Sequence, residues 1–161
     1  MKLIRGDKDR FVFAMGKREK SLLFQILHLY PLVPPAHHQL SKFADGQRDA
    51  ENQRLLEEAL AEQRRGNRRQ VLAMLNEPTR FRETDTGIQF TLTASQVEWL
   101  LQVFNDVRVG SWLALGEPDE LQIPEVNQTN APYVLAMESA GYFESALLDA
   151  LGVNPPHSRE G

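Results

Sequence analysis

The chain has 161 residues, 42% of them apolar and 25% charged, with 10 Gly, 9 Pro and no Cys. That profile fits one ordinary globular domain and excludes collagen-like, disordered and disulfide-framework classes. The missing cysteines remove thiolate nucleophiles, CxxC redox pairs, Cys-based zinc sites and iron–sulfur ligation together. The net charge of −4 hides an uneven distribution, since residues 1–80 carry 15 Lys+Arg against 10 Asp+Glu and residues 81–161 carry 3 against 12. A basic half of +5 and an acidic half of −9 can attract one another across a fold, or one of them can face a partner of opposite sign.

The opening reads as a hairpin, Lys2-Leu3-Ile4-Arg5 and Asp9-Arg10-Phe11-Val12-Phe13-Ala14 around a turn at Gly6-Asp7. No apolar run follows Lys2, so no secretory signal is expected; no stretch approaches a membrane span, and the expected location is cytoplasmic. From Lys17 to Tyr30, Leu22, Leu23, Ile26, Leu27 and Tyr30 recur at three and four residues, which predicts an amphipathic helix closed by Pro31. Residues 31–46, with Pro31, Pro34, Pro35, His37 and His38, predict a long connection with a single turn around Leu40 to Phe43.

Arg48 to Asn76 is helical in pattern, but Glu62 to Gln70 contains no apolar residue. A straight helix through that interval has nothing to bury, so two helices meeting at Gly66-Asn67 are expected. Pro78 ends the region, and Arg80-Phe81-Arg82-Glu83 with Ile88-Gln89-Phe90-Thr91-Leu92 predict a second hairpin about Asp85-Thr86-Gly87. Thr93 and Ser95, each followed three residues on by Gln96 or Glu98, mark the start of a helix that runs to about Leu115 and stops at Gly116. After an acidic connection, a last helix from Ala131, with Pro132 in its first turn, reaches Leu151 and ends at Gly152. The expected fold is therefore α+β: about five helices and a small antiparallel sheet built from the two hairpins. A single domain over 1–153 and a flexible tail at 154–161 are expected.

The densest group of chemically capable side chains lies on the helix after Thr93. Asn105, Asp106 and Arg108 interrupt an apolar run that begins at Trp99. On the helical period Asn105 and Arg108 share a face with Leu101 and Trp112, while Asp106 lies beneath Trp99, Val103 and Gly110. At least one of these polar groups must approach the core, where a charge needs a partner. Trp99, Asn105, Asp106 and Arg108 thus form a candidate site, either a structural network or an anion site centred on Arg108. A second candidate is the set Arg64, Arg65, Arg68 and Arg69, two i,i+4 pairs that could grip phosphates along a helix or form a solvated face. No aromatic residue interleaves with them, and the net charge disfavours generalised nucleic-acid binding.

Other motifs carry less. Asp85-Thr86-Gly87 matches the aspartic-protease tripeptide but follows Arg82-Glu83-Thr84 and reads as an exposed turn. His28, His37, His38 and His157 lack the carboxylate spacing of a metal site, so no metal and no cofactor is expected. GxSxG, GxxxxGK[ST] and GxGxxG are absent. In the last helix Ala136, Ala140 and Gly141 permit close helix packing, which is compatible with a homodimer without requiring one.

The series Leu92-Thr93, Trp99-Leu100, Asn105-Asp106-Val107-Arg108, Leu113 and Leu115-Gly116, followed by Leu147-Leu148-Asp149-Ala150-Leu151, resembles a bacterial domain family of unknown function. That family is best known from actinobacteria, and its genes often lie beside that of the Clp protease adaptor. The Pro-rich stretch at 31–46 with His37-His38 departs from its usual form. The resemblance brings no catalytic residues with it; the missing catalytic signatures, the charge asymmetry and the gene neighbourhood that the resemblance implies together lead to the expectation of a non-enzymatic cytoplasmic interaction or regulatory protein with a protein partner, the link to Clp-dependent proteolysis resting on that neighbourhood alone. The alternatives are a nucleic-acid-binding transcriptional regulator using the 64–69 arginines and a small-anion-binding protein or enzyme around Arg108.

Overall fold

A computed structural model of the chain describes residues 1–34, 47–119, 122 and 124–152. The turn expected at Leu40 to Phe43, the loop histidines His37 and His38, and the tail at 154–161 with His157 lie outside the described residues. Among the described residues four strands and four helices follow one another as β1 (Lys2–Gly6), β2 (Arg10–Met15), α1 (Lys17–Leu29), α2 (Gln47–Leu75), β3 (Phe81–Thr84), β4 (Gly87–Thr93), α3 (Ala94–Ala114) and α4 (Ala131–Ala150). The α+β class and the small antiparallel sheet expected from the two hairpins are both present.

The hairpins join through their inner strands, giving the order β1-β2-β4-β3. Phe11, Phe13 and Met15 of β2 pair with Leu92, Phe90 and Ile88 of β4. Because side chains alternate along a strand, this register collects all six on one face. That face is buried against the helices, and Phe13, Phe90 and Leu92 are almost entirely shielded from water. Phe81 of β3 stacks on Phe90 with ring centroids 4.7 Å apart and meets Phe24 of α1 edge-on at 5.3 Å. The hairpin between β3 and β4 turns through Asp85 and Thr86 at the surface, and Gly87 takes a positive φ of 148°. A Cβ there would stand 2.9 Å from the Met15 carbonyl oxygen, so only glycine lets β4 start against β2.

Thr93 caps α3: its hydroxyl accepts from the Gln96 N–H at 3.2 Å while the Gln96 side chain accepts from the Thr93 N–H at 2.9 Å. The helix ends before Gly116, which adopts the left-handed conformation that closes such a turn. α3 and α4 pack antiparallel as a pair, with Phe104 and Phe143 stacked at 5.7 Å and Leu100, Val107, Ala140 and Leu147 buried around them. Each such fully buried large side chain contributes about 1.5–3 kcal/mol relative to exposure. The α-amino group of Met1 binds Glu19 of α1 and the Tyr142 hydroxyl of α4, tying β1 to the helical layer. Burial opposes ionisation of Glu19, but the ammonium group, the Gly16 N–H and the Tyr142 hydroxyl outweigh it and hold the carboxyl below its usual range.

One expected boundary is corrected. The break at Gly66-Asn67 does not occur: α2 runs unbroken from Gln47 to Leu75, so the described helices number four rather than about five. The polar interval is not solvated all round. Arg64, Asn67 and Arg68 are half-buried because they hydrogen-bond to the chain segment that follows α1, and those bonds replace apolar burial as the reason for the helix to continue.

Candidate functional site

The segment that leaves α1, residues 30–33, runs inside the molecule without belonging to a helix or strand. Tyr30 and Val33 are buried at 4% and 7% exposure, and the Tyr30–Pro31 peptide is cis. Irregular backbone in such a place exposes N–H and C=O groups that water cannot reach, and each needs a partner. The partners come from both candidate sets named in the sequence.

Asp106 of α3 accepts the Leu32 N–H at 2.7 Å and the Val33 N–H at 3.4 Å through Oδ1. Arg64 of α2 donates to the Val33 carbonyl and lies 3.9 Å from Asp106 Oδ2, with the side chains of this ion pair only 11% and 12% exposed. One turn along, Arg68 donates to the carbonyls of Tyr30 and, at 3.1 Å, of His28. Asn67 donates to the Tyr30 hydroxyl at 3.2 Å. Burial pushes the Tyr30 phenol above its ordinary pKa; the Asp106 charge adds to this and the Asn67 bond offsets part of it.

Gly110 completes the arrangement one turn beyond Asp106. A Cβ there would stand 2.3 Å from Leu32 Cβ and 2.9 Å from the Val33 nitrogen, so the segment rests directly on the helix backbone. Asp106 and Gly110 thus act as a pair at i,i+4, one receiving the segment's N–H groups and the other making room for its chain.

The sequence-level candidates separate accordingly. Asp106 is the polar group drawn inward, but its cation is Arg64 and not Arg108. Arg108 leans instead on Glu144 of α4, Nη1 to Oε2 at 3.6 Å, with its side chain half exposed. Asn105 is exposed, at the rim of the cavity that Arg64, Asn67 and Asp106 line. Trp99 is partly buried against the core, and its indole nitrogen is shielded from water with no hydrogen-bond partner among the described residues. The four arginines do not form one face. Arg64 and Arg68 turn inward, Arg65 pairs with Glu62 at 2.6 Å on the surface, and Arg69 is exposed.

Sequence reasoning missed Tyr30, Asn67, Gly110 and Glu144 as members of these networks. The available signal was the glycine one turn after Asp106 in an otherwise apolar helix, together with a proline-interrupted segment whose backbone groups had no partners of their own.

On the other side of α3, Arg108, Val109, Trp112 and Met137 line a shallow groove of about 270 Å³ between α3 and α4. Trp112 is 37% exposed, and its indole N–H donates to the Pro118 carbonyl at 3.1 Å, which fixes the ring at the groove wall. Among the described residues no group of three or more His, Asp and Glu gathers as metal ligands, and no helix is long and apolar enough to cross a membrane.

An α+β unit whose polar inner residues hold its own backbone is thus the class that fold and site define. Residues 5–151 match the model of a domain of unknown function, DUF2017, and the chain belongs to that family. No curated protein and no solved structure matches the chain.

Proposed function

We propose that this is a non-enzymatic interaction or regulatory protein, acting in the cytoplasm on Clp-dependent proteolysis, which docks a protein partner through the groove between α3 and α4. The observation that carries the reading is Trp112, a large aromatic side chain more than a third exposed, held rigid by its bond to Pro118 and flanked by Val109, Met137 and the Arg108 guanidinium. Pre-positioned Trp and Arg side chains are the residue types that most often anchor protein interfaces, because they bury large area at little further entropic cost. The inward use of Asp106, Arg64 and Arg68 supports the same reading, since the side chains best able to do chemistry are engaged in holding residues 28–33. The Clp connection rests on the family resemblance of the 92–116 series.

The test is affinity capture of the tagged full chain from native lysate, nuclease-treated and at moderate salt, beside its Trp112→Ala variant. Recovery of Clp components by the wild type and their loss from the variant is the expected result. Recovery of nucleic acid alone, abolished by nuclease, would overturn the reading and return attention to Arg65 and Arg69.

A further inference from the structure

Among the described residues the sheet packs helices on one face, and its other face carries an unusual set of side chains. In the register of β1 on β2, Arg5 stands opposite Val12; in that of β3 on β4, Arg82 stands opposite Gln89. Val12 in turn faces Thr91, and Ala14 faces Gln89. Alternation therefore puts Arg5, Arg10, Arg82, Gln89 and Thr91 on the face turned away from the helices. Together with Gly6, Asp7, Val12 and Thr79 they line an open concavity of about 580 Å³.

All three arginines are exposed, and none of their guanidinium groups forms an ion pair or hydrogen bond among the described residues. Among the described residues the one carboxylate on this lining, Asp7, accepts the N–H groups of Asp9 and Arg10 through Oδ1 in the β1–β2 turn. The floor is small and neutral. Three guanidinium groups against the one Asp7 carboxylate, above Val12, Gln89 and Thr91, leave a net positive basin among the described residues on a molecule whose net charge is negative.

The spacing of the cations selects the ligand. Arg5 and Arg10 are diagonal neighbours on adjacent strands, roughly 7–8 Å apart. Arg82 lies three strand spacings from Arg5, roughly 14 Å across the sheet. One small anion does not span that distance, whereas an extended chain with carboxylates on alternate residues repeats about every 7 Å. Guanidinium groups match carboxylates in paired, two-bond geometry, and Gln89 and Thr91 supply neutral donors between them.

We propose that the open face of the sheet binds an extended acidic peptide segment of a partner protein, its carboxylates seated on Arg5, Arg10 and Arg82. A polynucleotide fits less well. Among the described residues no aromatic side chain lines the concavity to stack a base, and a long polyanion running past it meets the rest of a chain with 22 acidic residues. The face is separate from the Trp112 groove and stands on its own evidence.

The probe is a fluorescein-labelled decapeptide of alternating Glu and Ser, titrated with the full chain at low salt and read by fluorescence anisotropy. Saturable binding that weakens with added salt is expected. Replacing all three arginines, Arg5→Gln, Arg10→Gln and Arg82→Gln, should weaken it about tenfold. A control of equal charge change on α2, Arg54→Gln, Arg65→Gln and Arg69→Gln, should leave it within about twofold. Amide shift mapping on the unmutated protein keeps the test decisive if the triple variant does not fold: changes confined to residues 5–12, 79–82 and 89–91 are expected. Equal loss in the α2 control, shifts elsewhere, no saturable binding, or tighter binding of a single-stranded decanucleotide would each overturn the proposal.

Discussion

Asp106 shows how much of this fold hangs on one carboxylate. It receives two backbone N–H groups and lies beside Arg64 at low exposure, so truncating it leaves two buried donors without their acceptor and takes the carboxylate away from the Arg64 guanidinium. Asp106→Ala is expected to destabilise the protein by about 2–3 kcal/mol, measured as a fall in the urea midpoint without a change in slope. Gly110→Ala should cost about 1–3 kcal/mol by overpacking, because the added methyl meets Leu32 with no free volume to receive it. At Glu19 the sign follows from a carboxyl held below its usual range in the folded state. Its contribution is complete above the ordinary carboxylate pKa and fades as pH falls through the lowered folded value. Urea midpoints followed from neutral pH into acid should therefore drop less steeply in Glu19→Gln than in the wild type. An Asp inside an apolar helix announces in the sequence that a partner must exist. Which cation answers is not legible, because Arg64 reaches it only after α2 has been laid beside α3.

Among the elements, the two hairpins were readable because the β-favouring run Phe11 to Ala14 and the apolar alternation of Ile88, Phe90 and Leu92, each beside a Gly-containing turn, are local signals. The capped start of α3 at Thr93 was readable for the same reason. The continuity of α2 was not. Glu62 to Gln70 has no apolar stripe, and the bonds that keep this stretch helical go to residues 28–33, more than thirty positions away. Since Gly66 sits inside a continuous helix, and a Cβ there would meet nothing closer than the Arg69 guanidinium at 3.8 Å, Gly66→Ala should stabilise the protein by about 0.5–1 kcal/mol. Had two helices met at that position, the same change would have been neutral or harmful, so thermal unfolding of this variant separates the two descriptions.

For the whole molecule, β2 pairs with β4 across more than seventy residues, and residues 30–33 are clasped between α2 and α3. The single domain expected over 1–153 should then unfold as one cooperative unit, with Trp fluorescence and far-UV circular dichroism tracing the same urea curve; separate transitions would refute it. Its two candidate docking surfaces lie on different layers, the Trp112 groove on the helices and the arginine basin on the sheet. The sequence by itself determined the class of fold, the two hairpins, the cap of α3, the ends of α3 and α4, and the need for a buried partner near Asp106, because each of these is written in neighbouring residues through alternation, helical period, a capping pair or a terminal glycine. Only the tertiary structure decided that Arg64 and Arg68 turn inward while Arg5, Arg10 and Arg82 stay unpaired among the described residues. A side chain's charge is local, but whether that charge is neutralised depends on which distant segment the fold brings within a few ångströms of it.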